Sequence, residues 1–201
     1  MKIELKVNQI KAALECAGKK DARYYLNGIL IERTHAGQIY IVSTDGHRMF
    51  VGLHSTIEPG TPESVLISRD TLEISVKMKI DCLTLDTETK KLGELTYQTI
   101  AGNFPNWRRV VPERKHTPED NKATQFNPEY ILSAAKALKY WSGHKNLTAH
   151  ILHRGEKQSG IITCDIDTAF IVLMPLRYNN MARLQDFEIS DFEAPKLQAV
   201  A

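Results

Sequence analysis

The chain has 201 residues, 42% of them hydrophobic and 25% charged, a composition that excludes a wholly disordered protein and suits one large domain or two small ones. Its 26 basic and 24 acidic side chains leave a net charge of +2, which alone favours neither nucleic acid nor a membrane as partner. The charge is unevenly placed, because residues 178–201 carry four acidic against two basic side chains and leave +4 on the rest. This predicts an acidic tail over residues 179–201.

Cys16, Cys82 and Cys164 are too widely spaced for a metal-binding or redox pair, and we expect free, buried thiols in a reducing compartment. The opening residues lack the apolar run of a secretory signal, and no stretch approaches the ~20 apolar residues that a bilayer span needs. We therefore expect a soluble, cytoplasmic protein with no membrane partner.

The first predicted unit has a β-α-β-β-β pattern. Its helix is indicated by apolar residues at helical spacing, Ile10, Ala13, Leu14 and Ala17, with Asn8 as the predicted cap. The strands predicted around this helix span residues 2–6, 25–33, 38–43 and 48–53.

A second unit of the same pattern follows the polar connector at residues 58–62. A short helix is predicted over 69–77 with Ser68 as its cap, although the β-branched residues Ile74 and Val76 weaken the helical period. The predicted strands of this unit span residues 64–67, 82–86, 92–100 and 107–111.

A third unit follows a polar, proline-containing linker at 113–122. Asn127 and Pro128 are typical of a helix start, and the predicted apolar face comprises Ile131, Leu132, Ala135 and Leu138. The predicted strands span residues 123–126, 147–153, 160–166 and 169–176. The sequence thus predicts a two-unit domain over 1–112 and a half domain over 123–178, built from one internal repeat.

Four ordered sequence runs carry a resemblance to a known family. They are RYYLNG at 23–28, TDGHRM at 44–49, FPNWRRVVP at 104–112 and VLMPLR at 172–177. The first three resemble segments of the middle domain of the bacterial DNA polymerase III beta sliding clamp, and the fourth resembles the strand that ends the family's last domain. Together with their flanks the runs cover about residues 1–177.

The resemblance implies an α+β DNA-clamp fold, with helices on the inner face of a ring and antiparallel sheets outside. It implies a non-catalytic processivity factor without cofactors, which encircles double-stranded DNA and tethers a DNA polymerase and other proteins through their clamp-binding peptides. The family's ring contains twelve β-α-β units, so a chain with three units predicts a homotetramer whose half domains are completed by neighbours. Whether a clamp loader opens the ring stays undecided at this point.

The resemblance also implies two kinds of binding residue. The partner-peptide cleft would comprise Leu26, Thr44, Gly46, His47, Arg48, Met49, Pro105, Arg109, Val110, Val172, Met174, Pro175, Leu176 and Arg177. The resemblance also predicts DNA-binding residues on the inner helices and on a basic loop that contains Arg23, Tyr24 and Tyr25, here called the basic tyrosine loop. The predicted DNA-binding residues are Lys11, Lys19, Lys20, Arg23, Tyr24, Tyr25, Lys136 and Lys139. Single lysines of this kind also coat ordinary exposed helices.

Other chemistry is weakly indicated. His150 and His153 would point to opposite faces of one strand, and Asp165 with Asp167 is typical of a turn, so we predict no metal site. No nucleophile accompanies Asp45 and His47, so we predict no catalysis. Two other functions stay open: a clamp mimic that competes for clamp-binding partners without forming a ring, and a clamp adapted to transcription.

Overall fold

The structure is a computed structural model that describes residues 1–112, 124–152 and 158–176. The predicted linker at 113–122, the tail at 179–201, Ala123, His153 and Arg177 therefore lie outside the described residues. The helices are α1 (Val7–Leu14), α2 (Arg69–Ser75) and α3 (Pro128–Ser142), with 3₁₀ turns at Tyr24–Leu26 and Trp107–Val110. The strands are β1 (Lys2–Lys6), β2 (Gly28–Arg33), β3 (Gln38–Thr44), β4 (Arg48–Thr56), β5 (Glu63–Ser68), β6 (Cys82–Asp86), β7 (Lys91–Leu92), β8 (Leu95–Thr96), β9 (Ala149–Leu152), β10 (Gly160–Cys164) and β11 (Ala169–Leu173).

The first two units exchange strands. Strand β1 pairs antiparallel with β6 of the second unit, so that Lys2 lies opposite Asp86. Strand β5 in turn pairs antiparallel with β2 of the first unit, so that Gly28 lies opposite Ser68. Each unit thereby supplies a strand that pairs with a strand of the other.

The third unit extends a sheet of the first. Strand β11 pairs antiparallel with β4, with Ala169 opposite Gly52 and Val172 opposite Met49. The result is a seven-stranded sheet in the order β5-β2-β3-β4-β11-β10-β9, beside a four-stranded sheet in the order β1-β6-β7-β8. The joint between the units is therefore a continuous strand ladder.

The two faces of the seven-stranded sheet bury different residues. The helices pack on one face, over fully buried residues such as Phe50, Ile31 and Ile171. The other face buries a smaller cluster that includes Met49, Val172 and Trp107. One layer of helices on antiparallel sheets confirms the predicted α+β class.

Two features of the first two units differ from prediction. Helix α1 begins at Val7 rather than after Asn8, because the Gln9 side chain accepts a hydrogen bond from the Lys6 backbone N–H at 3.2 Å. The strand predicted over 92–100 is instead a short hairpin of β7 and β8 that turns at Gly93. Helix α2 does begin directly after its predicted cap Ser68, whose side chain accepts a hydrogen bond from the backbone N–H of Thr71.

The prediction of a strand over residues 107–111 is wrong. Residues Trp107–Val110 form a 3₁₀ turn, in which the backbone N–H of Arg109 donates to the carbonyl of Asn106 at 3.2 Å. The turn is held by side chains, since the Trp107 indole donates to Glu32 at 2.9 Å. The alternation of apolar and polar residues along the sequence cannot reveal a contact between residues as distant in the chain as Trp107 and Glu32.

The third unit also departs from the predicted pattern. Residues 124–126 lie in no strand, although the Gln125 carbonyl accepts a hydrogen bond from the Leu176 backbone N–H at 2.8 Å. The predicted Leu138 is buried, but Leu132 is 64% exposed, and α3 buries Ala134 and Ala137 in addition to Leu138. Small alanines let α3 lie close to α1 and the sheet, which turns Leu132 outward.

Cys82 is exposed, so the expectation of three buried thiols is wrong for this residue, whereas Cys16 and Cys164 are buried. Cys82 lies on β6, where exposed and buried residues alternate. Within the described ranges, no helix is long and apolar enough to cross a bilayer.

Candidate functional site

A cleft lies at the joint between the first and third units, on the sheet face opposite the helices. Its floor is apolar and includes the buried side chains of Leu26, Met49 and Val172. Apolar lining with a few polar groups is typical of a site that binds a small molecule or a short peptide.

One wall of the cleft is the turn between β3 and β4. The Asp45 carboxylate accepts from the backbone N–H groups of His47 and Arg48 at 2.9 and 3.0 Å, and from the Arg48 Nε at 2.9 Å. The Thr44 hydroxyl accepts from the Gly46 N–H at 3.0 Å and donates to the Arg48 carbonyl at 2.8 Å. Every residue of the turn is thus fixed by a hydrogen bond, which preorganises this wall.

The backbone conformation at position 46 favours glycine. Its φ is +89°, and a Cβ atom there would lie 2.8 Å from a guanidinium nitrogen of Arg23. The turn and the Arg23 side chain can therefore approach each other only because residue 46 has no side chain.

The third unit contacts the same turn. The Met174 backbone N–H donates to the His47 carbonyl at 2.8 Å, and the His47 ring stacks on Tyr130 with centroids 5.9 Å apart. Arg48 lies over the same tyrosine ring at 4.9 Å and also hydrogen-bonds to Ser133. The cleft is complete only because the third unit is docked on the first.

The opposite wall is the 3₁₀ turn Trp107–Val110. Arg108 stacks over the Trp107 ring at 4.2 Å and binds Glu32 at 2.9 Å, while Trp107 also contacts Tyr40 at 5.3 Å between centroids. Side chains from β2 and β3 therefore position this wall.

The structure brings ten of the fourteen predicted cleft residues together: Leu26, Thr44, Gly46, His47, Arg48, Met49, Pro105, Val110, Val172 and Met174. Arg109, Pro175 and Leu176 do not line this cleft, and Arg177 lies outside the described residues. The three-residue period of a 3₁₀ turn explains why Trp107 and Val110 share the cleft while Arg109 points elsewhere.

Five lining residues were missing from the predicted cleft: Arg23, Tyr25, Phe104, Asn106 and Trp107. Three of them belong to the run FPNWRRVVP, so this family-like run could have predicted them as cleft residues. Arg23 and Tyr25 were predicted to bind DNA, and their place beside the cleft adds a second possible contact for the same loop.

The basic tyrosine loop is ordered by one ion pair. Arg23 contacts Asp21 at 2.8 Å and donates to the Asp45 carbonyl at 3.1 Å. The hydrogen bonds from Arg23 lower the pKa of Asp21 to about 2. Tyr24 is 56% exposed and packs edge to face against Tyr25, so an aromatic face is open to solvent.

The remaining predicted DNA-binding residues fall into two groups. Lys19 and Lys20 are exposed and line a hollow with Tyr24 near the start of α2. Lys11, Lys136 and Lys139 lie on α1 and α3 in the helix layer, with Lys11 half-buried.

Lys136 does not carry an isolated charge. It forms an ion pair with Glu15 at 2.7 Å, and this hydrogen bond raises the pKa of Lys136. The pair links α3 to the end of α1, so Lys136 has a structural contact as well as its predicted role.

In the part of the chain that the structure describes, no group of three or more potential metal ligands occurs. His150 contacts Asp165 at 3.2 Å, but both side chains are more than half exposed.

Comparison with known proteins identifies the family. Residues 2–106 match the model of the DNA polymerase III beta subunit, central domain. The chain belongs to this family. The beta sliding clamp of Buchnera aphidicola is 33% identical over 107 residues, covering 49% of this chain and 29% of that protein. The chain spans between 28% and 37% of the length of eight curated relatives that it matches, each of them a beta sliding clamp.

Solved clamp structures confirm the predicted DNA-clamp fold. The DNA polymerase III beta subunit of Pseudomonas aeruginosa superposes with a TM-score of 0.66 at 16% identity, covering 89% of this chain and 67% of that one. The Helicobacter pylori beta clamp bound to a DNA ligase peptide gives a TM-score of 0.68 at 14% identity, covering 88% and 65%.

Proposed function

We propose that this protein is a non-catalytic sliding clamp, which encircles duplex DNA as a homotetrameric ring and tethers a DNA polymerase or other partners through the cleft. The observation that carries this proposal is the cleft itself, which four separate sequence runs form at the joint of two units. A peptide was bound by the Helicobacter pylori clamp of the same fold.

The helix layer supplies the proposed DNA surface. Helices α1, α2 and α3 lie on one side of the sheet, and Lys11, Lys136 and Lys139 extend from two of them. Scattered lysines attract phosphates of any sequence, and such contacts allow movement along the duplex. A sliding clamp needs this kind of weak, sequence-independent contact.

Ring closure is tested by solution mass and by retention on DNA. Light scattering over a concentration series should give four chains per particle. The particle should remain on nicked circular DNA at a salt concentration that strips ordinary phosphate binders, and it should slide off after the circle is cut. A monomer at all concentrations would contradict the ring and favour a mimic that competes for clamp-binding partners.

The cleft is tested separately with a labelled peptide from the tail of a clamp-binding polymerase. Val110→Asp places a charge in the cleft at a residue that is 39% exposed, and should weaken peptide binding at least tenfold. Ile57→Asp is the matched control, because Ile57 is 38% exposed and lies outside the cleft. Equal affinities for the two variants would contradict a peptide site here.

A further inference from the structure

The last described residues of the chain lie beside the cleft. Met174 lines the cleft, and its backbone N–H donates to the His47 carbonyl at 2.8 Å. Two residues later the Leu176 backbone N–H donates to the Gln125 carbonyl at 2.8 Å, so the chain is held on both sides of Pro175. The acidic tail is therefore joined to the protein within a few residues of the cleft.

This attachment point favours any segment of the tail that fits the cleft. An extended chain covers ~3.3 Å per residue, so the eleven residues from Leu176 to Phe187 can span up to ~36 Å. Such a reach is ample for a return to Met174, which lies only two residues before Leu176. A segment joined to its site by a short linker acts at an effective concentration in the millimolar range. Even a weakly binding segment would therefore compete with a partner present at micromolar concentration.

The charged side chains that line the cleft are cationic. Among the described lining residues, Arg23 and Arg48 carry the formal charges at neutral pH. Arg23 is 49% exposed, and it bonds to the Asp21 carboxylate and the Asp45 carbonyl through Nε and Nη2. A guanidinium has five donors, so the Nη1 hydrogens of Arg23 can bind a further carboxylate. The cleft thus combines an apolar floor with a rim that suits an acidic ligand.

The acidic tail contains a segment with the matching chemistry. Residues 186–189 have the sequence DFEI. In an extended chain, side chains two residues apart point to the same side, so Phe187 and Ile189 would share one side and Asp186 and Glu188 the other. One side then suits the apolar floor, and the other suits the arginines.

We propose that residues 186–189 of the acidic tail occupy the cleft of their own chain, with the apolar side chains on the floor and the carboxylates beside Arg23 and Arg48. A partner peptide must displace this segment before it can bind. The tail thereby sets how strongly a partner must bind in order to be held. This inference rests on the proposed function, because it names the regulation of the same peptide site.

A photochemical cross-link tests the contact in the full chain, without any partner. Phe187→benzoylphenylalanine places a photoreactive group in the segment, and irradiation should join it to the cleft residues Met49 or Met174 within a single chain. Peptide mass spectrometry identifies the joined residues. The matched control is Leu197→benzoylphenylalanine, at an apolar tail residue outside the segment, which should give no cross-link to the cleft. Equal cross-linking from both positions, or cross-links only between two chains, would overturn the proposal.

Competition is measured with the labelled peptide from a polymerase tail. Phe187→Ser combined with Ile189→Ser should tighten its binding about tenfold, because the tethered competitor is weakened. Leu197→Ser combined with Val200→Ser is the matched control and should leave the affinity unchanged.

The two experiments separate this inference from the proposed function. A labelled peptide that binds all variants equally would overturn the inference and leave the peptide site standing. A cross-link from residue 187 to the cleft, in a protein that binds no partner peptide even after Phe187→Ser and Ile189→Ser, would support the tail contact and contradict the tethering of partners. Absence of both the cross-link and peptide binding would overturn both.

Discussion

The indole of Trp107 donates a hydrogen bond of 2.9 Å to the carboxylate of Glu32, which links the cleft wall to β2. Trp107→Phe keeps an aromatic ring and removes this donor. A hydrogen bond to a charged group contributes about 1.5–3 kcal/mol, and we expect a loss of this order in the free energy of unfolding, measured in urea. Arg108→Gln is the control, because its exposed ion pair with Glu32 contributes about 0–1 kcal/mol. Equal losses in the two variants would contradict the indole as the anchor.

Gly46→Ala should destabilise the protein more than Gly143→Ala. Both glycines have positive φ, at +89° and +72°, so both variants lose about 1–2 kcal/mol to backbone strain. Only the methyl group at position 46 meets Arg23, whereas nothing lies within 4 Å of the position at 143. The additional loss at position 46 should appear in thermal unfolding and as weaker peptide binding. A larger effect at 143 would contradict the close approach of Arg23.

Gly52 lets α3 lie against the joint between the units. A Cβ atom at residue 52 would lie 2.5 Å from the Trp141 ring, so Gly52→Ala should cost about 1–3 kcal/mol of stability. Trp141→Leu should relieve part of this cost in the double variant. The coupling free energy from a double-mutant cycle checks the contact, and strictly additive losses would show that the two residues do not meet.

The ion pair between Asp21 and Arg23 predicts a pH effect at the acidic end. Because the pKa of Asp21 is lowered to about 2 from 3.8, its stabilising contribution is present above pH ~4 and is lost as the pH falls towards 2. The melting temperature of Asp21→Asn should therefore lie below that of the unaltered protein at pH 5 and approach it near pH 2. Arg23→Gln should remove the same pH dependence. A difference that persists unchanged at pH 2 would contradict this pairing.

The three thiols should react in a defined order. Cys82 is exposed, while burial raises the pKa of the Cys16 thiol to about 12, and Cys164 is also buried. A thiol reagent should therefore modify Cys82 first in the folded protein, with Cys16 and Cys164 reacting only after denaturation. Peptide mass spectrometry after a timed reaction identifies the site. Early modification of Cys16 would contradict the burial of this residue.

Local patterns predicted the elements whose partners are near in sequence. The alternation of residues 82–86 and the cap at Ser68 gave β6 and α2 nearly as found. The turn Trp107–Val110 was mispredicted as a strand because its anchor, Glu32, is remote in sequence. Leu132 was predicted on the buried face because it is apolar and occurs at helical spacing. That spacing does not reveal how closely two helices pack, and the close packing of α3 turns Leu132 outward. The cleft was predicted through four family-like runs, and its missed members lie within or beside those runs.

The joint between β4 and β11 couples ligand binding to the docking of two units. Residues on both sides of the joint line the cleft, with Met49 on one side and Met174 on the other. A ligand that needs both sides binds only the docked form, and mass action then stabilises that form in proportion to ligand saturation. At a hundred times its dissociation constant, such a ligand adds about 2.7 kcal/mol to the docked arrangement. A bound partner would thus hold the first and third units together across the joint.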